Sequence, residues 1–332
     1  MPRLTSSPVV ETAGAIPSPI LEAFQGLVPT GPFGVAVSGG GDSKALLAMA
    51  HLLRPDDVLA ATVDHGLRPE ASQEARTASD WCQARRIPHQ TLSAEGLKCE
   101  PGNLQSNARD MRYDLLAGWA AESAIHSVLL GHTMDDQAET VLMRLARGSG
   151  AEGLSGMAET REWEGVTFLR PLLRTRRAEL RTWLSERGET WIDDPTNEDA
   201  SFDRIKARQA LDVLAPLGIS VEGLAATADR LRRQTEVLHE DAAQLALASV
   251  LPAPEGVTRL DRNALRSALA DTALRLVADM LMQIGGTSYR PRFRSLAPLC
   301  QRINSTETFR TTLAGCLIEA NETTITIRPE HP

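Results

Sequence analysis

Two short segments of the chain hold the side chains best suited to chemistry, and the first is SGGGDS at residues 38–43. Consecutive glycines allow backbone N–H groups to close around phosphate oxygens without a clash of Cβ atoms, and a following helix adds its positive dipole end. The segment is not a Walker A loop, because Lys44 follows the serine instead of preceding it. A tight turn capped by Ser43 is the simpler alternative. We predict a phosphate-binding loop, since the three glycines stand together with Ser38 and Asp42.

The second segment is MDDQAE at residues 134–139, which places three carboxylates at the start of a predicted helix. Asp135 and Glu139 are one turn apart, and Asp136 and Glu139 have i,i+3 spacing, so they can share a helix face. Acidic residues at a helix start also suit the helix dipole, which would make them purely structural. Because the cluster directly follows a predicted strand, we favour a site that binds a cation or accepts a proton.

Strands and helices alternate between residues 34 and 146, and this alternation predicts how the two segments are positioned. Predicted strands lie at 34–37, 57–63, 89–93 and 127–132. Nearly continuous apolar strands separated by helices indicate an α/β fold with a doubly wound parallel sheet that is covered on both faces. Ligands bind to such sheets at the carboxyl ends of the strands. We therefore expect the loops at 38–43, 64–69 and 132–136 to share one site.

The chain is predicted to hold two domains. We expect a disordered leader at 1–18, a nucleotide-binding domain at 19–215 and a smaller α+β C-terminal domain at 216–332. The boundary follows LAPLG at 214–218, where a proline and a glycine separate two helical patterns. Near the end of the chain, GCLIEA and NETTITIR predict a β-hairpin.

Composition excludes several classes of protein. The 35 Lys+Arg and 43 Asp+Glu residues give a net charge of -8, which argues against a general nucleic-acid coat protein. Residues 1–165 hold 13 basic and 21 acidic residues, so an arginine patch elsewhere is still compatible with RNA binding. The four cysteines include no C-x-x-C pair, which excludes a sequence-local zinc or iron–sulfur motif. No apolar run has the ~20 residues of a membrane span and no signal pattern is visible, so we expect a cytoplasmic protein.

The phosphate loop resembles that of the N-type ATP pyrophosphatases, which split ATP into AMP and pyrophosphate while they adenylate an acceptor. Further motifs follow in order: DHGLRPEAS (64–72), NARDMRY (107–113), GHTMDDQAETVLMRLARGSGAEGLSGM (131–157), RPLL (170–173) and WIDDPTNEDASFDR (191–204). Together they resemble the tRNA(Ile)-lysidine synthetase family over residues 33–210, whereas residues 216–332 match that family only loosely.

This resemblance implies an adenine nucleotide alpha hydrolase-like fold that uses ATP and Mg²⁺. In the implied reaction, the C2 oxygen of cytidine at the first anticodon position attacks the α-phosphate of ATP. Free lysine then displaces AMP and leaves lysidine. The implied partners are tRNA(Ile) with a CAU anticodon and free L-lysine, with no membrane partner, and a homodimer is left open. On the same basis, 19–215 is an ATP-pyrophosphatase (PP-loop) domain and 216–332 binds tRNA.

The resemblance also assigns candidate site residues. The residues expected to bind ATP are Ser38, Gly39, Gly40, Gly41, Asp42, Ser43, Val63, Gly131 and His132. The expected catalytic residues are Asp135, Asp136, Glu139 and Arg109, and the sequence does not divide the roles of the carboxylates. The expected tRNA contacts are Arg112, Arg174, Arg204, Arg208, Arg290, Arg292 and Arg294. Asp42 and Asp135 are the candidate Mg²⁺ ligands, with helix capping as the alternative role for Asp42.

Two arginine-rich stretches differ in how strongly they indicate RNA. YRPRFR at 289–294 interleaves aromatic residues with arginines, and residues 280–306 contain no acid, which suits base stacking and phosphate contacts. The six arginines between 170 and 187 are explained equally well by a solvated helix face. The glycines of RGSGAEGLSG predict a flexible loop that closes over an extruded base.

One position departs from the family pattern. Ile205 stands where the family has an asparagine between two arginines, here Arg204 and Arg208, so we expect no direct role for residue 205. A tRNA thiolase is a rival interpretation, but it needs a cysteine in the site. An amidotransferase synthetase would need a glutaminase domain that the chain lacks. A catalytically inactive nucleotide-sensing or RNA-binding module is a third alternative, and the intact phosphate loop and carboxylates argue against it.

Overall fold

The computed structural model describes residues 16–64, 69–93, 104–192, 203–287 and 290–330, with the backbone alone for 69–72 and 104–108. The chain divides into two compact units, Met1–Asp229 and Arg230–Pro332. Residues 1–15 of the predicted leader lie outside the described residues, and Ile16 is buried in the core. The predicted domain boundary at 215–216 precedes the division of the units and stays a prediction.

The first unit contains one sheet of six strands and most of the helices. Its strands are β1 (Phe33–Ala36), β2 (Val58–Asp64), β3 (His89–Ser93), β4 (Ser127–Leu130), β5 (Thr160–Trp163) and β6 (Val166–Leu169). Its helices are α1 (Ser18–Leu27), α2 (Gly41–Leu53), α3 (Pro69–Ala84), α4 (Leu104–Glu122), α5 (Met134–Ala146), α6 (Ala151–Leu154), α7 (Arg177–Ser185), α8 (Asp203–Leu214) and a 3-10 turn (Ala215–Leu217). Helix α9 (Val221–Ser249) begins in this unit and continues into the second.

No single helix among the described residues is long and apolar enough to cross a membrane. By length and composition alone, Asp203–Leu217 and Val221–Ser249 meet that criterion when they are taken together as a bent pair.

The strand order in the first sheet is β3-β2-β1-β4-β6-β5. Strand β1 pairs in parallel with both β2 and β4, so the chain changes its direction of winding between β1 and β4. In open α/β sheets the ligand crevice lies at such a switch point, beyond the carboxyl ends of the strands. SGGGDS follows β1 and GHTMDD follows β4. The topology therefore confirms the predicted doubly wound sheet and brings both chemically interesting segments to one place.

The middle of the sheet is buried on both faces, as its apolar strands predict. All residues of β1 and β4 are buried. Alternate residues contribute to two separate clusters, because side chains of a strand point to opposite faces. On one face α2 packs with Leu46 and Met49, and on the other α4 packs with Leu116 and Trp119. Gly34 permits the second approach, since a Cβ at that position would lie 2.6 Å from the ring of Trp119.

Strands β5 and β6 form an antiparallel hairpin that the sequence analysis did not anticipate. Glu164 and Gly165 make its two-residue turn with φ values of 47° and 76°. Positive φ at both central positions is typical of a type I′ turn, which matches the twist of paired strands. The signal was a glycine-containing pair between two runs rich in β-branched and aromatic residues. The hairpin adds an antiparallel edge to the sheet and directs the chain towards α7.

The second unit is an antiparallel sheet with helices against it. Its strands are β7 (Val250–Leu251), β8 (Thr258–Asp261), β9 (Phe309–Leu313), β10 (Cys316–Ala320) and β11 (Thr324–Pro329), and its helices are α10 (Arg262–Ser267), α11 (Ala270–Gly285) and α12 (Phe293–Asn304). Strands β10 and β11 pair antiparallel, which confirms the predicted hairpin. The core joins residues of the sheet, such as Ile318 and Ile325, to residues of the helices, such as Leu281 and Leu296.

Arg262 is fully buried in this unit and fixes the carboxyl end of α12. Its guanidinium donates to Ile303 O at 2.9 Å and to the carbonyl oxygens of Arg302 and Ser305 at 2.7 Å. The last carbonyl groups of a helix have no partner within the helix, and a cation there also suits the dipole. The buried arginine is thereby satisfied, and α12 is held at the end opposite to the arginines of YRPRFR.

Candidate active site

The turn between β1 and α2 has the form expected of a phosphate-binding loop. Gly40 caps α2, and the Ser43 hydroxyl donates to Gly40 O at 3.0 Å and accepts from Ser38 N at 3.1 Å. Gly39 has a φ of 81°, a conformation that side chains rarely adopt. The first N–H groups of α2 have no partner within the helix and carry its positive dipole end. These groups are therefore positioned to bind an anion.

Gly131 allows the end of β4 to lie directly against this turn. A Cβ at Gly131 would lie 2.9 Å from Ser43 Cα and 3.0 Å from Ser43 N. His132 follows in the same loop, and burial lowers its pKa to about 3, so the imidazole is neutral at physiological pH. Val63 lies at the carboxyl end of the neighbouring strand β2. The residues that the sequence predicts for ATP binding therefore lie on adjacent strand ends.

The phosphate loop also contacts the segment that leads into the WIDDPTNEDASFDR motif, whose first residue is Trp191. The Trp191 ring lies 3.2 Å from the Cβ position of Gly41. Glu189 pairs with Lys44 at 2.9 Å and accepts from Trp81 Nε1 at 2.8 Å. A cavity of about 410 Å³ lies beside these groups and is lined by Val37, Gly39, Lys44, Leu47, Thr77, Ala78, Trp81, Ala84, Arg85, Thr190, Trp191 and Ile192. These contacts support the phosphate loop and the first turn of α2.

Thr133 caps α5 and fixes the orientation of Asp136. The Asp136 Oδ2 atom accepts from Thr133 N and from Thr133 Oγ1, both at 2.8 Å, and Asp136 N donates back to Thr133 Oγ1 at 3.4 Å. This reciprocal arrangement is a capping box. Glu139 lies almost one turn further along the helix and is 1% exposed. The predicted carboxylates therefore do share a face, and one of them is also the helix cap.

Arg177 joins the phosphate loop to the carboxylates of α5. Its Nε donates to Asp42 Oδ2 at 2.9 Å, and its Nη2 donates to Asp136 Oδ1 at 3.2 Å. Its Nη1 lies 3.5 Å from Glu139 Oε1. Each nitrogen of one guanidinium thus faces a different carboxylate, a use of the fork geometry that lysine does not offer. Arg177 was not among the predicted site residues, because its sequence surroundings do not distinguish it from the other arginines of 170–187.

Asp135 is bound by the residues at the start of α7. Its oxygens accept from Arg177 N at 2.8 Å and from the Arg176 guanidinium at 3.1–3.3 Å. Arg176 also pairs with Glu222. Among the described residues, no group of three or more His, Cys, Asp or Glu side chains is placed to hold a metal ion. The predicted role of Asp135 as a Mg²⁺ ligand stays a prediction.

Helix α8 adds two of the predicted arginines to the same cluster. Arg208 Nε donates to Glu139 Oε1 at 2.9 Å, and Arg204 Nη1 lies 3.8 Å from Asp136 Oδ1. These arginines are four residues apart and therefore share a helix face. Ile205 is buried with 6% exposure. The position at which this chain departs from the family pattern therefore belongs to the packing of α8.

The buried carboxylates differ in their pKa values. Burial raises the pKa of Asp136, but the charges of Arg177 and Arg204 outweigh that effect and the pKa is lowered. Burial and the neighbouring charge of Asp136 raise the pKa of Glu139. Burial also raises the pKa of Asp42, although Arg177 opposes this. Such opposed shifts among neighbouring carboxylates are typical of sites that move protons.

A second group of arginines lies near His132 and has few acidic neighbours. Arg170 donates to Tyr113 Oη at 3.0 Å, and the Arg109 guanidinium lies 5.9 Å from the centre of the same ring. Burial and the charges of neighbouring arginines lower the pKa of Arg112 and that of Arg170. Poorly solvated cations whose pKa is lowered by neighbouring cations favour an anionic ligand.

The glycine-rich segment after α5 is held in place at several points. Gln137 donates to Met157 O at 2.9 Å, and Arg144 donates to Gly153 O at 2.7 Å and to Gly156 O at 2.9 Å. The segment also contains the short helix α6. The predicted flexible loop is therefore a folded segment, because side chains of α5 satisfy the carbonyl groups that its glycines expose.

The remaining arginines predicted to contact RNA lie in different surroundings. Arg174 is exposed and pairs with Glu159 at 3.2 Å. Because residues 280–306 contain no acid, the arginines of this stretch were expected to have no acidic partner, and this is wrong for Arg290, which pairs with Asp279. The acid was missed because it lies in α11, just before this stretch. Arg292 and Arg294 are exposed.

The chain is similar to proteins of known kind over most of its length. A family model described as a PP-loop domain matches residues 19–214. The chain is 41% identical to the tRNA(Ile)-lysidine synthase of Ruegeria pomeroyi over 87% of this chain and 69% of the relative. It is 39% identical to the tRNA(Ile)-lysidine synthase of Methylobacterium sp. (strain 4-46) over 90% and 89% of the two chains. In structure, it resembles the U34-tRNA thiolase NcsA of Methanococcus maripaludis with a TM-score of 0.54 and 16% identity, over 67% of this chain and 78% of NcsA.

The contact of Gly131 with the phosphate loop can be tested by adding one methyl group. Gly131→Ala is expected to weaken ATP binding about tenfold, because the new Cβ forces apart two backbone segments at a cost of about 1–3 kcal/mol. Calorimetric titration with ATP measures the change. Gly118→Ala is the matched control, since a Cβ at Gly118 meets no atom within 4 Å. Equal ATP affinity of Gly131→Ala and the wild type would contradict the proposed role of this contact.

Proposed function

The chain belongs to the tRNA(Ile)-lysidine synthase family, and from this membership we propose how its arginine–carboxylate site performs the reaction. The enzyme uses ATP and forms lysidine on tRNA(Ile). In the proposed course, cytidine at the first position of a CAU anticodon is adenylated at its C2 oxygen. Free L-lysine then replaces AMP. The observation that carries the proposal is the single guanidinium of Arg177, which joins the phosphate loop to the buried carboxylates of α5.

In the first step the phosphate loop holds the part of ATP that leaves as pyrophosphate. The N–H groups at the start of α2 bind the developing negative charge without having to reorganise. Arg112 is half-buried and Arg170 is buried, both on the His132 side of the site, and we propose that they face the α-phosphate and the anticodon backbone. Arg109, predicted to be catalytic, lies against Tyr113 in the same group.

Mg²⁺ is proposed to enter with the phosphates of ATP. Such ions are held by one or two carboxylates together with substrate phosphates and water. Asp42 has one oxygen bound to Arg177 and a second oxygen, Oδ1, for which the described residues supply no hydrogen bond. Asp42 therefore fits as the protein ligand better than Asp135, both of whose oxygens accept hydrogen bonds. A metal ion there would neutralise charge on the departing pyrophosphate.

In the second step the carboxylates of α5 receive the side chain of lysine. The lysine ammonium has a pKa of about 10.4 and must lose a proton before its nitrogen can attack C2. Asp136 and Glu139 lie together, buried and acidic, at the start of α5. Their charge attracts the ammonium group, and their burial strengthens this attraction. Arg204 and Arg208 balance the same carboxylates, so the site does not hold an excess of buried negative charge.

We propose that the tRNA also contacts the start of α12. Phe293 is 69% exposed, which is unusual for a phenylalanine, and it stands between the exposed Arg292 and Arg294. An exposed ring between two guanidinium groups suits stacking on a base and contacts with phosphates. The predicted contact at Arg290 has less support because that guanidinium pairs with Asp279.

A thiolase function is not favoured. The likeness to the NcsA structure, at 16% identity, shows the fold alone. A thiolase needs a reactive cysteine, whereas Cys82 is buried and burial raises its pKa to about 11, which keeps its thiol protonated. Cys300 is also held protonated by burial, with a pKa of about 11. Cys99 lies outside the described residues.

The proposed reaction can be tested by transfer of label. The protein is incubated with ATP, Mg²⁺, radiolabelled lysine and tRNA(Ile) that carries a CAU anticodon. We expect ATP-dependent transfer of label to the tRNA and a lysidine nucleoside at the first anticodon position, detected by mass spectrometry. The same tRNA with a different first anticodon base is the control. Absence of transfer, while an authentic family member is active under the same conditions, would refute the proposal.

Replacement of Arg177 tests whether one guanidinium organises the site. Arg177→Gln is expected to lower the single-turnover rate by about 100-fold or more, since three buried carboxylates lose their shared counter-charge. Arg177→Lys keeps the charge but offers one nitrogen, so an intermediate rate is expected. Arg187→Gln is the control, because Arg187 lies just after α7, where its guanidinium donates to Trp183 O and lies over the Trp183 ring, away from the three carboxylates. A wild-type rate for Arg177→Gln, with an unchanged melting temperature, would exclude this role.

The proposed tRNA contact predicts a change in salt dependence. Replacement of both Arg292 and Arg294 by Gln is expected to reduce the slope of log K against log salt for tRNA binding by about 1–2. The affinity should fall at low salt. Arg310→Gln is the control, since Arg310 is exposed but pairs with Glu319 at 3.4 Å. If the double variant has the slope of the wild type, these arginines do not contact phosphates.

A further inference from the structure

One carboxylate oxygen in the site is enclosed by protein and has no hydrogen-bond partner. Glu139 Oε2 is buried and receives no hydrogen bond in the described structure. The other oxygen, Oε1, accepts from Arg208 Nε at 2.9 Å and lies 3.5 Å from Arg177 Nη1. A buried charged oxygen without a partner is costly, so such atoms usually face a ligand. The orientation of Glu139 is thus fixed by two arginines on one oxygen while the second oxygen stays available.

The neighbouring carboxylates have no equivalent atom. Both oxygens of Asp136 are engaged, one by Thr133 and the other by Arg177. Both oxygens of Asp135 accept hydrogen bonds from the start of α7. Asp42 has an oxygen without a recorded bond, but it lies at the phosphate loop, where the charge of ATP will be bound. Glu139 is therefore the carboxylate of α5 that can accept a further hydrogen.

We propose that Glu139 is the catalytic base that takes the proton of the lysine ammonium at Oε2, and that Asp136 is a positioning residue. This inference rests on the proposed function. One N–H bond of the ammonium breaks and an O–H bond forms at Oε2. The electron pair left on nitrogen forms the new bond to C2 of the adenylated cytidine. The bond between C2 and the bridging oxygen then breaks, and AMP leaves with that electron pair.

The charged groups that face Glu139 come from three helices and are consistent with this role. Asp136 lies on the same helix, Arg177 approaches from α7 and Arg208 from α8. Burial and Asp136 raise the pKa of Glu139, which makes it a better proton acceptor than an exposed carboxylate. The charges of Arg177 and Arg208 oppose this rise in the pKa of Glu139. His132 does not compete for the proton, because burial lowers its pKa to about 3.

The experiment separates the two steps of the reaction. Wild type and Glu139→Gln are first incubated with ATP and tRNA without lysine, and adenylated tRNA is measured from labelled α-phosphate. Lysine is then added and the disappearance of adenylated tRNA is followed. We expect the first step within about threefold of wild type and the second step slower by about 100-fold or more, the usual contribution of a general base.

A nucleophile that needs no deprotonation identifies the base. In the lysine analogue that carries an aminooxy group in place of the terminal amine, this group is largely unprotonated at neutral pH, whereas the α-amino and α-carboxyl groups keep their charges. If Glu139 removes a proton, the defect of Glu139→Gln should shrink to less than about tenfold with this analogue. An equal defect with lysine and with the analogue would overturn the proposal, because it would show that Glu139 only holds the substrate.

Two further variants test whether the defect is specific to the loss of an acid at position 139. Glu139→Asp keeps an acid and should recover part of the second-step rate, and no recovery beyond Glu139→Gln would count against a proton-accepting role. Glu122→Gln is the matched control, since Glu122 is an exposed acid at the end of α4 and has no role in the proposed site, and its rates should equal those of the wild type. Absence of adenylated tRNA in the wild type itself would instead refute the proposed function.

Discussion

The rest of the site depends on one interaction, the contact of the Arg177 guanidinium with three carboxylates from two elements. Asp42 belongs to the phosphate loop helix, and Asp136 and Glu139 belong to α5. Without a cation between them, buried carboxylates at such distances repel each other and are poorly solvated. Arg177 removes this repulsion with a planar group that offers separate nitrogen atoms in fixed directions. The distance between the phosphate loop and the carboxylates of α5 is therefore set by a side chain that belongs to neither segment.

The sheet explains why these groups meet. The chain changes its direction of winding between β1 and β4, so the segments that follow these two strands lie side by side. Gly131 reduces their separation further, because the absence of a Cβ atom allows the backbone of the β4–α5 loop to contact the backbone at Ser43. Close approach brings the N–H groups of α2 and the carboxylates of α5 near each other. Opposite electrostatic character on the two sides then suits a reaction in which phosphate leaves and an ammonium group arrives.

The sequence predicted the carboxylates on both sides of this interaction, in the phosphate loop and in α5, but not the arginine that lies between them. SGGGDS and MDDQAE stand out because glycine runs and clustered carboxylates at strand ends have few structural uses. Arg177 lies 41 residues after Asp136, in an arginine-rich stretch whose periodicity fits a solvated helix equally well. Which arginine faces inward depends on the route of the chain through the β5–β6 hairpin, and that hairpin was not predicted. The acid that pairs with Arg290 was missed for a related reason, since Asp279 lies in the preceding helix α11 and comes close to Arg290 only in the folded chain.

In helix α5, the position of each acidic residue along the helix determines which groups its carboxylate contacts. At the helix start, Asp135 meets the backbone and side chains of the next element, and Asp136 completes the capping box. In the capping box, one oxygen of the Asp136 carboxylate accepts hydrogen bonds from Thr133, so this oxygen is already engaged at the start of the helix. Glu139 lies beyond that first turn, where the backbone N–H groups are bonded within the helix and make no demand on it. Burial at 1% exposure then protects its remaining oxygen from water, so the capacity to accept a proton is kept for a ligand.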